Sequence, residues 1–119
     1  MLIYKKYYFD SAHFMPDFDK GHDYNNIHGH SYEVIISLEN KLGKDQKWFM
    51  NYDDLDNIVK PLIKILDHKI LNKIEGLENP TSENLAKWFW NRIQIKTETL
   101  KQIEIIRPRI GGCIYKGED

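Results

Sequence analysis

Hydrophobic and polar positions change period twice along the chain. Residues 2–9 (LIYKKYYF) are dense in tyrosine and β-forming side chains. Residues 30–39 alternate strictly, with His30, Tyr32, Val34, Ile36 and Leu38 on one side and Ser31, Glu33, Ile35, Ser37 and Glu39 on the other. A period of two belongs to a strand, so both segments are predicted strands. Residues 16–26 (PDFDKGHDYNN) between them carry the Pro, Gly, Asp and Asn of a long surface loop, a length that in small domains is usually functional or disordered. From Asn51 the period lengthens: Leu55, Ile58, Val59, Leu62 and Leu66 recur at three- and four-residue spacing behind an Asn51 cap and the acids Asp53 and Asp54. That predicts an amphipathic helix, in which Pro61 removes a backbone hydrogen bond or imposes a kink. A second helix is predicted from a Thr81 or Ser82 cap to about Lys96, with Leu85, Trp88, Phe89 and Ile93 as its buried stripe. Residues 102–107 and 113–115, separated by Gly111-Gly112, return to strand.

The order is ββααββ. Strands that arrive in hairpins rather than alternating with helices predict an α+β fold, a four-stranded antiparallel sheet with two helices on one face. With no repeat, linker or low-complexity stretch, residues 1–119 read as a single domain.

Composition narrows the function classes. Seventeen Lys+Arg against 18 Asp+Glu give a net charge of −1 with 41% hydrophobic residues, far from the signature of disorder. No basic tract is present, which argues against nucleic acid as a partner. No apolar run approaches the ~20 residues of a membrane span. The lone Cys113 has no partner for an internal disulfide, and Lys5-Lys6 interrupts any leader-like apolar stretch, so a cytoplasmic location is expected. In a closing strand, Cys113 reads as a small buried hydrophobe.

The sharpest chemical signal is His28-Gly29-His30 at the start of a strand, because side chains at i and i+2 project from one face about 7 Å apart at Cα and can share an ion. Zinc takes neutral imidazole nitrogens, and a catalytic site typically has three protein ligands. His13 and His22 are the candidates for the third, with His13 preferred because a strand end is held by the sheet. Asp67-His68 follows the first helix, and a carboxylate beside an imidazole can orient it for proton transfer. Taken alone, each pattern has a plainer use: a strand histidine bonded to a carbonyl, and a cation complementing the dipole of a helix C-terminus beside an exposed acid. Glu83 alone is a favourable first-turn acid.

Five segments in order, Phe9-Asp10-Ser11-Ala12-His13, His28-Gly29-His30-Ser31-Tyr32, Leu66-Asp67-His68-Lys69, Pro80-Thr81-Ser82-Glu83-Asn84 and Gly112-Cys113-Ile114-Tyr115, resemble the 6-pyruvoyl tetrahydropterin synthase family. That family includes the bacterial 6-carboxytetrahydropterin synthases of queuosine (7-deazaguanine) biosynthesis. The resemblance spans essentially the whole chain. It implies a tunnelling fold, in which subunits join sheet edge to sheet edge into a trimeric barrel, commonly two trimers stacked as a homohexamer, with active sites at subunit interfaces. It implies that His13, His28 and His30 hold Zn2+, that Asp67 and His68 form a catalytic acid/base pair, and that Glu83 with Thr81 and Ser82 belong to the pterin pocket. The implied activity is a zinc-dependent lyase transforming a reduced pterin such as 7,8-dihydroneopterin triphosphate to 6-carboxy- or 6-pyruvoyl-tetrahydropterin. The alternatives are a divergent lyase or aldolase on another pterin or purine-like compound, and a non-catalytic zinc-containing pterin-binding module.

Two positions depart from the family pattern. Where members normally carry a Cys four residues before the HxH, serving as general base, this chain has Tyr24. A phenol with a reference pKa of about 10 is a poor base at neutral pH, which leaves Asp23, His22 or a water as stand-ins. Where a Glu normally pairs with the N–H edge of the pterin ring, this chain has Arg107. Arginine has donors only and cannot make that contact. Either Glu83 alone anchors the ring, the correspondence slips by a few residues, or the substrate differs. Arg107 paired with an acid across a subunit interface is the structural alternative.

Overall fold

Backbone pairing among the first forty residues sets the layout. In the computed structural model, which describes residues 1–118, β1 (Leu2–His13) and β2 (His28–Glu39) are antiparallel over their full length, from Leu2 opposite Glu39 to His13 opposite His28. Then come α1 (Tyr52–Leu66), α2 (Ser82–Ile93), β3 (Leu100–Arg107) and β4 (Gly111–Tyr115). The sheet order is β1-β2-β3-β4, antiparallel throughout.

Both helices lie against one face. On β1, Tyr7, Phe9, Ser11 and His13 are buried while Tyr4, Lys6, Tyr8 and Asp10 are exposed. On β2, Tyr32, Val34, Ile36 and Leu38 are buried beneath Leu55, Val59 and Leu66 of α1 and Leu85, Phe89 and Ile93 of α2. Full burial of such side chains contributes roughly 1.5–3 kcal/mol each, so the sheet's choice of inner face is strongly determined. Phe9 stacks on Tyr32 with ring centroids 4.7 Å apart.

Element boundaries differ from the sequence expectation in five places, two of them the starts of β3 at Leu100 and β4 at Gly111, each two residues early. β1 runs on to His13 rather than stopping near Phe9, because Asp10 to His13 find pairing partners in Ser31 to His28. β2 starts at His28, two residues early, for the same reason. α2 ends at Ile93, with Gln94 as its cap, rather than near Lys96. Pro61 does not break α1: it lies on the exposed side, as does Asn57, whose freed carbonyl water can reach.

Two connections position side chains of interest. After α1 the chain runs beside the outer edge of β1, His68 N–H donating to the Asp10 carbonyl (2.7 Å) and Ala12 N–H to the Lys69 carbonyl (2.9 Å). Between β3 and β4, Arg107 to Ile110 form a turn closed by Ile110 N–H donating to the Arg107 carbonyl (3.0 Å). Pro108 supplies the fixed φ of its second position, and Arg109 adopts φ 72° at its third, the geometry of a type II turn. Gly112 then pairs with Ile106, and a Cβ there would stand 1.9 Å from the Ile105 carbonyl oxygen. Gly112→Ala is therefore expected to cost about 2–3 kcal/mol, read as a lower denaturation midpoint in urea. An unchanged midpoint would show that the hairpin can shift to make room.

Candidate active site

The β1–β2 register places His13 directly opposite His28 and Ser11 opposite His30, all facing the helices. Among the described residues, His13, His28 and His30 form the one group able to hold a metal ion, their ligand nitrogens within 4.8 Å of one another. Hydrogen-bond partners assign the tautomers. His28 Nδ1 lies 2.7 Å from the Asn26 carbonyl, which can only accept, so Nδ1 carries the proton and Nε2 is a free lone pair. His13 Nε2 lies 3.0 Å from that lone pair, and His13 Nδ1 lies 3.2 Å from the Tyr32 hydroxyl. A ring nitrogen of His13 also faces the Pro80 carbonyl, which can only accept and so favours a proton on that nitrogen. His30 Nε2 is buried with no partner.

This donor set fits zinc. Two nitrogens on a tetrahedral zinc with bonds of about 2.0–2.1 Å stand roughly 3.3 Å apart, near the His13–His28 spacing. A cation would also satisfy His30 Nε2, with the Pro80 carbonyl and the Tyr32 hydroxyl beside His13 giving the outer support that metal-bound histidines usually have. Burial, then the neighbouring His28, His30 and Arg107, lowers His13 to a pKa of about 4. Burial and Arg107 lower His30 as well. Both are therefore neutral at physiological pH, the form a metal requires. Burial pushes the Tyr32 phenol up to about 12, so it keeps its proton.

The cluster opens into a cavity of about 380 Å³ lined also by Asp17, Tyr24, Asn79, Thr81 and Arg107. Tyr24 sits on a short 3-10 turn, its ring 6.3 Å from that of His28. His22, the other candidate ligand, is outside the cluster: its Nδ1 accepts the Tyr24 N–H and caps that turn.

The Asp67-His68 pair lies elsewhere. His68 Nδ1 is 3.0 Å from Asp67 Oδ2, and the His68 side chain is 79% exposed. Asp67 Oδ1 accepts the Asp10 N–H, which with His68 holds the carboxyl below the usual carboxylate range. His68 adopts φ 58° just past the helix end, a position that usually goes to Gly or Asn. It borders a second hollow lined by Asp10, Ser11, Ala12, Gly29, His30 and Ser31. Within one chain the Asp67-His68 pair thus lies outside the cavity lined by all three histidines, at the outer edge of β1, and its own hollow touches the cluster only at His30.

A model of the 6-pyruvoyl tetrahydropterin synthase family matches residues 2–118. The chain belongs to that family. A dihydroneopterin monophosphate aldolase of Pyrococcus furiosus is 35% identical over 86 residues, 72% of this chain and 68% of the relative. A 6-carboxy-5,6,7,8-tetrahydropterin synthase of Synechocystis is 32% identical over 120 residues, 96% and 92% of the two chains. The solved 6-pyruvoyl tetrahydropterin synthase of Caenorhabditis elegans superposes with a TM-score of 0.87 at 20% identity, covering 98% of this chain and 95% of that one. The relatives are named as synthases and an aldolase, and this synthase-family chain is an enzyme of that lyase type.

Of the residues expected to meet the pterin, Thr81 lines the cavity while its hydroxyl caps α2 by accepting the Asn84 N–H. Ser82 Oγ is buried without a partner. Glu83 is exposed, does not line the cavity, and lies close enough to Cys113 to raise that half-buried thiol. The supporting roles of Tyr32 and the Asn26 carbonyl carried no signal in the sequence, since both depend on register and loop path.

The lowered His13 pKa has a consequence for metal-free protein. Between pH 6.5 and about 4 the unfolded chain takes up a proton that folded His13 refuses. This contribution to stability is complete above about pH 6.5 and disappears as pH falls toward 4, amounting to about 3 kcal/mol. Urea midpoints of chelator-treated protein should fall over that window. His13→Gln should flatten the fall, and an identical slope in that variant would rule the assignment out.

Proposed function

We propose that this chain is a zinc-dependent lyase transforming a reduced pterin such as 7,8-dihydroneopterin triphosphate to 6-carboxy- or 6-pyruvoyl-tetrahydropterin, acting in the cytoplasm as a trimer or a hexamer of stacked trimers. The observation that carries the reading is the cluster of His13, His28 and His30, with an unpartnered His30 Nε2, at the mouth of a cavity within the usual ligand-site range. A zinc ion held by these three nitrogens supplies a Lewis acid for side-chain oxygens of the pterin and acidifies the adjoining C–H bonds.

The remaining steps fall to the chain's own groups. Asp67, ionised and bonded to His68 Nδ1, holds the imidazole with Nε2 outward, ready to take and return a proton. Because that pair does not line the cavity of the three histidines, each complete site draws its histidine cluster from one chain and its Asp67-His68 from a neighbour. Thr81 and Ser82 border the pterin, and exposed Glu83 reaches it from across the same interface. Tyr24 lines the cavity at the position of the family's cysteine but is a poor base, so a water held there takes the proton.

A second reading, aldolase cleavage of a dihydroneopterin phosphate, is favoured by Tyr24 in place of Cys and by the 35% identity to an enzyme named as such an aldolase. Zinc-loaded protein given 7,8-dihydroneopterin mono- and triphosphate separates the two. A 6-carboxy or 6-pyruvoyl product is expected, a pterin with a one-carbon hydroxymethyl side chain indicates the aldolase, and no product from either defeats both. His28→Ala and His68→Ala should each be inactive, yet a reassembled equal mixture should regain about a quarter of parental activity, since that fraction of interfaces joins two intact halves. Failure to regain any would place both groups in one chain's site.

A further inference from the structure

Arg107 ends β3 one step beyond the Glu33–Ile106 pair, which puts it in line with Tyr32 on the helix-facing side. The turn through Pro108 and Arg109 fixes its backbone. Its side chain borders the cavity of the histidine cluster, near enough for its charge to act on His13, His30 and Tyr32. Its Nε is buried without a hydrogen-bond partner, and the guanidinium forms no ion pair among the described residues. Asp17 is the one carboxylate lining the cavity; it is exposed and pairs with nothing there.

Arg107 is half-buried, and a buried Nε–H left without an acceptor costs free energy that a partner would recover. A metal ion on the three histidines satisfies their nitrogens but adds positive charge to the same cavity, so it deepens the imbalance. What Arg107 lacks is a negatively charged partner offering it two acceptor oxygens, the geometry a guanidinium fork matches.

We propose that Arg107 is a specificity-determining residue that receives an oxyanion of the ligand, phosphate or carboxylate, in the cavity of the histidine cluster. The ligand is then selected by its acidic group at Arg107, where an acidic side chain would instead select the donor edge of a ring. The proposal rests on this cavity being the ligand site of the reading above, and it is independent of which pterin is turned over.

The test is equilibrium binding to zinc-loaded full-length protein by titration calorimetry, with two matched pairs: 7,8-dihydroneopterin against its triphosphate, and 6-hydroxymethylpterin against 6-carboxypterin. In at least one pair the charged member should bind about tenfold or more tighter, as hydrogen bonds to a charged group allow. The pair that shows it names the source of the oxyanion. Arg107→Gln should collapse that ratio toward one, and Arg107→Lys, which keeps the charge but not the fork, should retain part of it. Rising salt should weaken the charged member selectively in the unsubstituted protein, a readout that survives even if a variant fails to fold. No preference in either pair, or equal weakening of both members by Arg107→Gln, overturns the proposal. Inorganic tripolyphosphate separates this outcome from failure of the pterin reading: if no pterin binds but tripolyphosphate does, in an Arg107-dependent manner, the oxyanion site stands and the pterin assignment falls.

Discussion

Everything in the candidate site depends on one register, the antiparallel pairing of β1 with β2. Because side chains alternate with a period of two, slipping that pairing by one residue would carry Tyr32, Val34, Ile36 and Leu38 from the core to solvent, at a cost of several buried side chains. His28 and His30 continue the same inner row, and His13 is delivered opposite His28 by the same ladder. The hydrophobic core therefore enforces the spacing of the histidines, and the site needs no rigidity of its own. The stacked Phe9–Tyr32 pair lies at the boundary, joining the apolar rows to the polar end of the sheet through the Tyr32 hydroxyl on His13.

The parts of this arrangement that were legible in the sequence are those governed by short periods. Alternation revealed β2, three- and four-residue spacing revealed α1, and an i, i+2 histidine pair revealed two of the three cluster residues. The ends of elements were less visible: Asp10 to His13 have little strand propensity and are extended because β2 offers them partners, a long-range effect that no local window contains. Between His13 and His22 the sequence favoured His13 as a strand-end residue, and the register shows why: it lies opposite His28, whereas His22 caps a short turn in the loop. The separation of His68 from the cavity of the histidine cluster was also hidden, because it is set by how residues 67–70 run along the edge of β1.

That division gives the sheet a reason to assemble. The outer face exposes Tyr4 and Tyr8 beside Lys6, and the histidine cluster at the inner face lacks a facing acid–imidazole pair of its own. The segment carrying Asp67-His68 covers the edge of β1 near its C-terminal end and leaves the rest of that edge, and all of β4's outer edge, without a strand among the described residues. Open edges recruit strands, and edge-to-edge joining of copies covers them. In the proposed reading, assembly that closes those edges also brings one chain's Asp67-His68 toward another's histidine cluster. The same step would then remove a liability of the isolated sheet and complete a site that one chain leaves divided.

The polar end of the inner row shows how charge is balanced around that chemistry. Burial and the nearby Arg107 both disfavour protons on His13 and His30, which keeps their lone pairs available to a metal. Arg107 also repels the metal itself, so a cluster favoured by its neutrality is opposed by the charge beside it. The two effects reconcile once a negative group enters between them, since it lowers the cost of both cations together. Ligands that each improve the other's binding are coupled through a shared free energy, and the coupling acts equally in both directions. In the proposed reading, metal and anionic ligand are therefore held as a set, and the residue at position 107 determines which anions can join it.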